Sequence, residues 1–441
     1  MLLRLVPLLA LVFASCAPFA AAASPTGAVP VKLQQDAAGR WTLLRGGQPY
    51  FIRGAGGSNH HELIPQFGGN SLRTWHVWQL EPRDEQGRNM IDRAHELGLT
   101  MTVGIWVQQA RRGFKFDGGP AVQKQRDMVR NAVRKYRAHP ATLLWGLGNE
   151  VEIAVSPDNP AMWGELNELA KIVKAEDPDH PVMTIIAGAS AEKIKAIMKY
   201  YPEIEILGIN AYGENAAKTP EILKSVGWTK PWVFTEFGPS GPWSARKMEW
   251  NAPIEPTGEQ KVKMYRAGWE AAIKADDGQF LGGYAFIWGH KQEATQTWFG
   301  MFLPTGERTA AVDVVKQLWT GEWPADLCPE ITGWTVPLAE QTVAPGAEFT
   351  VAVEARDPEG RPLVATWWVM AEASRPKIGG DREAVPQTFP EAIVRAEGMQ
   401  AVVRAPAPGN YRLFVKVVDP ANGTSVRNTP FRVAAPAAAA N

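Results

Sequence analysis

Eight short apolar runs, each separated from the next by a longer segment, dominate the chain before residue 325. The runs lie at 51–54, 71–75, 99–106, 142–149, 182–187, 204–210, 232–236 and 282–288. Runs of this length, rich in Val, Leu, Ile, Phe and Trp, are typical of buried strands. Most of the segments between them repeat apolar residues at helical spacing, at 89–97, 122–136, 163–175, 191–200, 260–274 and 309–319.

This alternation predicts a parallel α/β architecture. Strands that alternate with helices imply a parallel sheet, and eight such units predict a (β/α)8 or TIM barrel. A doubly wound open sheet is the alternative, and it would need a phosphate-binding glycine turn after the first strand. Gly54-Ala55-Gly56-Gly57 lacks the GxGxxG spacing of that turn. We therefore expect the closed barrel.

The pattern changes near residue 325, where helical periodicity ends. Short strand-like runs follow at 349–355, 365–369 and 411–418, separated by turns rich in Pro and Gly. They predict a small all-β, immunoglobulin-like sandwich. The predicted domains are a (β/α)8 barrel with an N-terminal β-hairpin at 30–325, a β-sandwich accessory domain at 332–434 and a disordered tail at 435–441.

The first 23 residues have the pattern of a secretory signal peptide. Arg4 precedes a short apolar stretch, and a run of four alanines at 20–23 offers cleavage sites. We therefore expect an exported protein, periplasmic or extracellular. Phe13-Ala14-Ser15-Cys16 is similar to a lipoprotein cleavage box, so a lipid anchor at Cys16 is an open alternative. Cleavage after residue 23 would leave Cys328 without a partner for an intramolecular disulfide.

Charge and composition restrict the partner. Basic and acidic residues balance at 46 each, which gives no indication of a nucleic-acid groove or an anionic membrane surface. A neutral oligosaccharide or polysaccharide fits this balance. The chain has 18 Trp residues, and two interpretations are open for them. Some fill the core of a large barrel, and some line a cleft where aromatic faces stack on sugar rings.

Two of the apolar runs end at a glutamate. The fourth run leads into Asn149-Glu150, and the seventh ends at Glu236. A buried carboxylate is costly unless another group pairs with it or uses it. The active sites of TIM barrels lie where the strands end, so both carboxylates are expected at one face. Two carboxylates that flank one site are typical of glycoside hydrolysis.

Other polar and aromatic residues follow the same strand ends or lie in the loops beyond them. None of the His and Cys residues is spaced as a metal site. The candidate substrate-binding residues are Arg73, Asn149, Tyr212, Trp288, Trp106, His60, His76 and Trp243.

The two glutamate segments also carry a family resemblance. His139-Pro140-Ala141-Thr142-Leu143-Leu144-Trp145-Gly146-Leu147-Gly148-Asn149-Glu150 resembles the barrels of glycoside hydrolase family 2. Thr235-Glu236-Phe237-Gly238 is similar to the nucleophile segment of the same enzymes. Both segments are also similar to β-1,3-glucanosyltransferases. The chain thus resembles the retaining β-glycosidases of clan A over residues 30–325.

The resemblance implies a role for each glutamate. Glu150 would be the general acid/base and Glu236 the nucleophile of a double displacement through a covalent glycosyl-enzyme. Asn149 would form a hydrogen bond with the sugar 2-hydroxyl. No cofactor and no metal are implied.

The resemblance also implies roles for three residues around the glutamates. Tyr212 and Arg73 would hold the nucleophile, and Trp288 would form the floor of the −1 subsite.

Three functions remain open from sequence. The first is a retaining hydrolase of a β-linked glycan. The second is a β-glucan transglycosylase that uses the same two glutamates, and the third is a non-catalytic glycan-binding or assembly protein on a barrel scaffold. For the sandwich we expect a spacer or docking role, with glycan binding as the alternative. Adjacent Trp367 and Trp368 should face opposite sides of a strand.

Overall fold

The computed structural model describes residues 27–275, 278–373 and 380–434. The predicted signal peptide at 1–23, the lipid anchor at Cys16 and the tail at 435–441 lie outside these ranges. Among the described helices, none has the combination of length and apolar character needed to cross a membrane.

A small antiparallel sheet precedes the barrel. Its strands are β1 (Val31–Gln35), β2 (Trp41–Arg45) and β3 (Gln48–Pro49). The buried side chains of Val31 and Leu43 pack against Leu143, Leu144 and Met183, which lie early in two barrel strands. The sheet therefore covers the amino-terminal end of the barrel, opposite the end where the strands finish.

Eight strands, all parallel to their neighbours, close into a barrel in the order β10-β11-β4-β5-β6-β7-β8-β9. They are β4 (Ile52–Gly57), β5 (Ser71–Arg73), β6 (Thr100–Ile105), β7 (Thr142–Leu147), β8 (Val182–Ala187), β9 (Ile206–Tyr212), β10 (Trp232–Gly238) and β11 (Phe280–Trp288). Each of the eight predicted runs overlaps one of these strands. The TIM-barrel fold expected from the alternation is confirmed.

The helices outside the barrel follow the prediction in six positions and add two that it missed. They are α1 (Leu63–Gln66), α2 (Met90–Glu96), α3 (Pro120–Tyr136), α4 (Pro160–Glu176), α5 (Ala191–Tyr200), α6 (Glu214–Ser225), α7 (Gly258–Lys274) and α8 (Ala310–Thr320). The missed helices are α1, a single turn, and α6, which contains Pro220 in its interior. Proline inside a helix removes a backbone donor and usually indicates a helix end.

The glycine run that ends the first barrel strand has a packing role. A Cβ atom at Gly54 would lie 2.3 Å from the ring of Tyr284, and one at Gly57 would lie 1.8 Å from the carbonyl oxygen of Trp288. Both glycines therefore permit close approach of β11 to β4. The Tyr284 hydroxyl lies within hydrogen-bond distance of Ser71 Oγ (3.0 Å) and Thr102 Oγ1 (2.6 Å) in the barrel interior.

Two packed sheets follow the barrel. The strands are β12 (Arg308–Thr309), β13 (Glu330–Thr335), β14 (Thr342–Val343), β15 (Glu348–Arg356), β16 (Val364–Ala371), β17 (Ile393–Glu397), β18 (Gln400–Arg404), β19 (Gly409–Val418) and β20 (Gly423–Val433). One sheet has the order β13-β15-β18-β17, and the other has the order β12-β20-β19-β16 with β14 paired to β20. Trp367 is buried in the core between the sheets and Trp368 is partly exposed, as strand alternation predicts.

Buried polar contacts join the sandwich to the barrel. Arg412 on β19 is 1% exposed and forms a bidentate pair with Glu372, at 2.8 and 3.1 Å. Its guanidinium also donates to the carbonyl oxygen of Pro253 in the loop after β10, at 2.7 Å. Asn428 on β20 donates to Glu255 of the same loop, at 2.7 Å. The loop that leaves the seventh barrel strand is therefore held against the sandwich.

Replacement of Arg412 by Met should destabilise the protein strongly. The change leaves the Glu372 carboxyl buried without its counter-charge, and breaking a buried pair in this way costs about 3 to 5 kcal/mol. The free energy of unfolding from urea titration measures the effect. Arg404→Met is the matched control, because the Arg404–Glu348 pair is exposed and such pairs contribute less than about 1 kcal/mol. Equal losses in the two variants would contradict a dominant role for the buried pair.

Candidate active site

Glu150 and Glu236 lie at the same end of the barrel. Glu236 is part of β10, and Glu150 follows the end of β7 by three residues. The Glu150 backbone has a φ of +52°, a left-handed conformation that is uncommon for residues other than glycine and that clusters at functional sites. Surrounding groups hold this conformation. The Glu150 amide donates to the carbonyl oxygen of Ile185 (3.0 Å), and Gln109 Nε2 donates to the Asn149 carbonyl oxygen (3.0 Å).

Three donors surround the Glu236 carboxylate. Arg73 Nη1 and Trp75 Nε1 donate to Oε1 at 2.8 and 2.7 Å, and the Tyr212 hydroxyl donates to Oε2. Both Arg73 and Glu236 are buried. Hydrogen bonds between ionised partners are stronger than neutral ones, and the guanidinium supplies a full positive charge. The Glu236 carboxylate is therefore held in a fixed orientation beside a buried positive charge.

Arg73 reaches Glu236 from the opposite side of the barrel rim. It is the last residue of β5, and its guanidinium donates to the carbonyl oxygen of Thr235 (2.8 Å) as well as to Glu236. Its other terminal nitrogen, Nη2, donates to Asn149 Oδ1 at 2.6 Å. The buried Arg73 guanidinium thus joins Asn149, the residue before Glu150, to Thr235 and Glu236.

Glu150 lies in a different environment. Asn210 Nδ2 donates to its Oε1 at 2.9 Å. Burial and then the negative charge of Glu236 raise the pKa of Glu150 to about 8. The Asn210 amide is fixed because its own oxygen accepts from Thr235 Oγ1 at 2.8 Å. At neutral pH, therefore, Glu150 carries a proton.

Aromatic rings form a wall beside Glu236. The Tyr212 ring contacts Phe286, Phe299 and Trp243, with centroid distances of 5.7, 5.2 and 5.7 Å. Burial, and then the charge of Glu236, raise the pKa of the Tyr212 hydroxyl well above its usual range, so it remains a donor. Trp243, in the loop after β10, is 54% exposed. The carboxyl pair therefore lies next to an aromatic surface open to solvent.

The barrel is also similar to known proteins in sequence. Residues 58–242, which contain both glutamates, match the family model described as Glycosyl hydrolases family 2, TIM barrel domain. Over these residues the barrel resembles that domain. The resemblance that the two glutamate segments indicate is thereby confirmed. Within the described residues, no group of three or more His, Cys, Asp or Glu side chains is placed to hold a metal ion.

Similar proteins include enzymes named as glucuronidases. A curated β-glucuronidase from Sus scrofa is 23% identical over 203 residues, which cover 42% of this chain and 28% of that protein. A crystal structure of Ruminococcus gnavus β-glucuronidase matches with a TM-score of 0.51 and 17% identity, over 67% of this chain and 54% of the other. A Bacteroides uniformis β-glucuronidase matches with a TM-score of 0.48 and 14% identity, over 92% and 48%. The chain spans about half the length of these solved structures.

Trp288 does not lie where the sequence predicts. It is 0% exposed and packs between Phe67, Phe302 and Trp319, in the core outside the barrel, so it cannot form the floor of a sugar subsite. The reason is a register shift in the pairing of β11 with β4 between Phe286 and Trp288. Such an irregularity changes the side to which the following side chains point. Phe286, two residues earlier on β11, contacts the Tyr212 ring instead, at a centroid distance of 5.7 Å.

The remaining predicted residues lie on loops of the catalytic face. His60 stacks on Phe302 with a centroid distance of 4.4 Å. Trp106, partly exposed just after β6, lies under the Arg112 guanidinium at 5.7 Å from its ring centroid. His76 contacts Trp78, whose ring is 53% exposed. These contacts within the protein do not test sugar binding by His60, His76 and Trp106, which stays a prediction.

The structure adds residues to the site that were not among the candidates named from the sequence. Trp75 lies two positions after Arg73, and Asn210 lies two positions before Tyr212 on β9. Strand residues two apart share a side, so alternation could have identified Asn210. Trp75 lies beyond the end of β5, where alternation no longer assigns a direction. Gln109 and Phe299 belong to loops, where no periodicity assigns a direction to a side chain.

Replacement of Glu236 by Gln should lower the pKa of Glu150. The change removes the negative charge that disfavours ionisation of Glu150, while the neighbouring Arg73 charge remains. Carbon-13 NMR of labelled Glu carboxyls measures the titration, and the Glu150→Gln variant assigns the signal. Glu259→Gln, an exposed change on α7, is the control and should leave the titration of Glu150 where it is. If Glu150 titrates at the same pH in Glu236→Gln, the two carboxyls do not interact as described.

Proposed function

We propose that the chain is a retaining glycoside hydrolase that cleaves a β-linked glycan. The observation that supports this most directly is the unequal environment of the two carboxyls. The Glu236 carboxylate is fixed by donors from Arg73, Trp75 and Tyr212, whereas Glu150 is protonated at neutral pH. Two carboxyls whose environments separate their protonation states are suited to be a nucleophile and a general acid.

In the first step of the proposed reaction, Glu236 Oε attacks the anomeric carbon of the sugar. The bond from that carbon to the glycosidic oxygen breaks, and the Glu150 proton passes to this oxygen, so the leaving group departs as an alcohol. The products are a covalent glycosyl ester on Glu236 and an ionised Glu150. A raised pKa on Glu150 favours this step because the acid must be protonated at working pH.

The same electrostatics assist the second step. Once Glu236 is esterified it has no charge, and one cause of the raised pKa of Glu150 is removed. Glu150 is then a suitable base: it takes a proton from water while the water oxygen attacks the anomeric carbon. The ester bond breaks, Glu236 is ionised again, and the sugar leaves with its original β configuration. Two inversions at one carbon give net retention.

The amide of Asn149 is oriented towards the sugar in this proposal. Its Oδ1 accepts from Arg73 Nη2 at 2.6 Å and from Asn210 Nδ2 at 3.2 Å. With the oxygen used in this way, the Nδ2 group is the one left to donate to a sugar hydroxyl next to the anomeric carbon. Tyr212, Phe286 and Trp243 supply the apolar surface for the ring face of the sugar.

Cleavage of a panel of aryl glycosides identifies the sugar that the enzyme accepts. Aryl β-D-glucuronide and β-D-galacturonide belong in it because similar proteins are named for uronic acids, and aryl β-glucoside, galactoside, mannoside and xyloside complete it. We also propose that the protein acts outside the cytoplasm, which the signal-peptide pattern at residues 1–23 supports. Products longer than the substrate oligosaccharide would indicate transglycosylation in place of hydrolysis.

Replacement of Glu236 by Ala should abolish turnover of the best aryl β-glycoside by roughly 1,000-fold or more, because the covalent step is lost. Sodium azide should restore turnover of this variant, with a glycosyl azide of inverted configuration as product. Proton NMR follows the anomeric configuration, and the wild-type enzyme should give the β anomer first. Glu259→Gln is the control with unchanged activity. Full turnover in Glu236→Ala, or an α anomer from the wild type, would contradict the proposal.

The pH dependence of kcat/KM should report the proton on Glu150. The acid is protonated below its pKa and ionised above it, so kcat/KM should be high at neutral pH and fall as pH rises through about 8. In Glu150→Gln, a 2,4-dinitrophenyl glycoside, which needs no proton on its leaving group, should be cleaved without this alkaline fall. An alkaline fall at the same pH in both proteins would assign it to another group.

A further inference from the structure

Residues 381–383, which lie between β16 and β17 of the sandwich, contact loops at the catalytic face of the barrel. We propose that these residues, here named the sandwich arm, form part of the active site and position Glu150 through Arg111 and Gln109. This inference rests on the proposed function, because it assigns a role in the same reaction. It differs from the spacer or docking role that the sequence predicts for the sandwich.

The first contact of the arm is made by Asp381. Its two carboxylate oxygens accept from Arg111 Nη1 and Nη2, each at 3.2 Å, in a bidentate pair. Arg112 donates to the same carboxylate, and its guanidinium lies over the ring of Trp106. Both arginines belong to the loop after β6, the third barrel strand. A bidentate pair fixes the plane of a guanidinium and not only its distance.

Arg111 in turn orients Gln109, which contacts the backbone around Glu150. Its Nε donates to Gln109 Oε1 at 2.9 Å. Because that oxygen is used, the Gln109 Nε2 group faces the carbonyl oxygens of Asn149 (3.0 Å) and Glu150 (3.4 Å). Gln109 is buried, so its amide has few other ways to satisfy its hydrogen bonds. The contacts therefore run without a gap from Asp381 to the acid/base residue.

The backbone of Glu150 needs such support. Its left-handed φ of +52° places it in a conformation that persists when neighbouring contacts determine it. If Asp381 is lost, Arg111 can turn its fork towards solvent, and the Gln109 amide can then change its partners. A displacement of about 1 Å of a reacting group can lower a rate about 100-fold.

The arm also contacts a second loop. Glu383 accepts from the backbone amide of Ala294 at 2.8 Å, in the loop after β11. Ala294 has a φ of +58°, and its neighbour Glu293 is paired with Lys291 at 2.8 Å. Burial, together with smaller effects of the charges of Glu236 and Glu383, raises the pKa of Glu293. The arm thus holds loops that follow the third and eighth barrel strands, on two sides of the catalytic face.

Docking of the sandwich does not depend on the arm. The buried contacts of Arg412 with Pro253 and of Asn428 with Glu255 lie at a different loop. Arg308 and Thr309 of β12 add backbone pairing with Gly423 and Thr424 of β20. A change at Asp381 should therefore leave the two domains together and affect the reaction alone, which allows a direct test.

The test is the variant Asp381→Asn in the full chain, assayed with two aryl glycosides of the same sugar. One has a poor leaving group that needs the Glu150 proton, and the other is the 2,4-dinitrophenyl glycoside, which does not. We expect kcat/KM to fall about 10-fold or more on the first substrate and less than about twofold on the second, as for a misplaced general acid. Asp381→Glu should recover part of the loss.

The control is Glu348→Gln, which removes an exposed pair with Arg404 inside the sandwich and should leave both substrates and the urea midpoint unchanged. Wild-type kinetics of Asp381→Asn on both substrates would overturn the inference. Equal losses on both substrates, with a lower urea midpoint, would also overturn it and assign Asp381 a structural role. Failure of the proposed function would look different, because the wild-type chain would then cleave neither substrate.

Discussion

The buried ion pair between Arg73 and Glu236 is the interaction on which the arrangement of the site depends. Moving a guanidinium and a carboxylate out of water is costly, and the cost is offset only where their remaining hydrogen-bonding groups are satisfied. Here the guanidinium also donates to the Thr235 carbonyl and to Asn149, and the carboxylate also accepts from Trp75 and Tyr212. The pair therefore holds together the ends of β5, β9 and β10, together with Asn149, which follows β7.

The carboxylate of this pair also affects the second carboxyl. Burial and then the negative charge of Glu236 raise the pKa of Glu150, so Glu150 keeps its proton at neutral pH. Arg73 further fixes Asn149, the residue directly before Glu150. Two chemically identical side chains thus lie in different surroundings. Arg73 pairs directly with Glu236, whereas burial and then the negative charge of Glu236 raise the pKa of Glu150.

Much of this arrangement can be predicted from the sequence, because it follows from strands. Apolar runs that end at Glu150 and Glu236 show where the strands finish, and the ends of parallel strands meet at one face of a barrel. Prediction fails where local chain irregularity decides the outcome. The register shift in β11 directs the Trp288 side chain into the core. Pro220 lies inside α6, where a proline usually indicates a helix end, so the helix was not predicted. Asp381 could not be predicted, since it follows its partner Arg111 by 270 residues and no pattern connects them.

The short strand β12 has a consequence for how this protein can be divided. Arg308 and Thr309 belong to the chain that closes the barrel, yet they pair in parallel with Gly423 and Thr424 of β20. A chain cut between barrel and sandwich would leave the hydrogen-bonding edge of β12 without its neighbour, and open edges of this kind promote aggregation. The sandwich is therefore not a detachable module. A chain shortened before it is expected to aggregate, so a loss of carbohydrate binding or cleavage in that chain would not reveal the role of the sandwich.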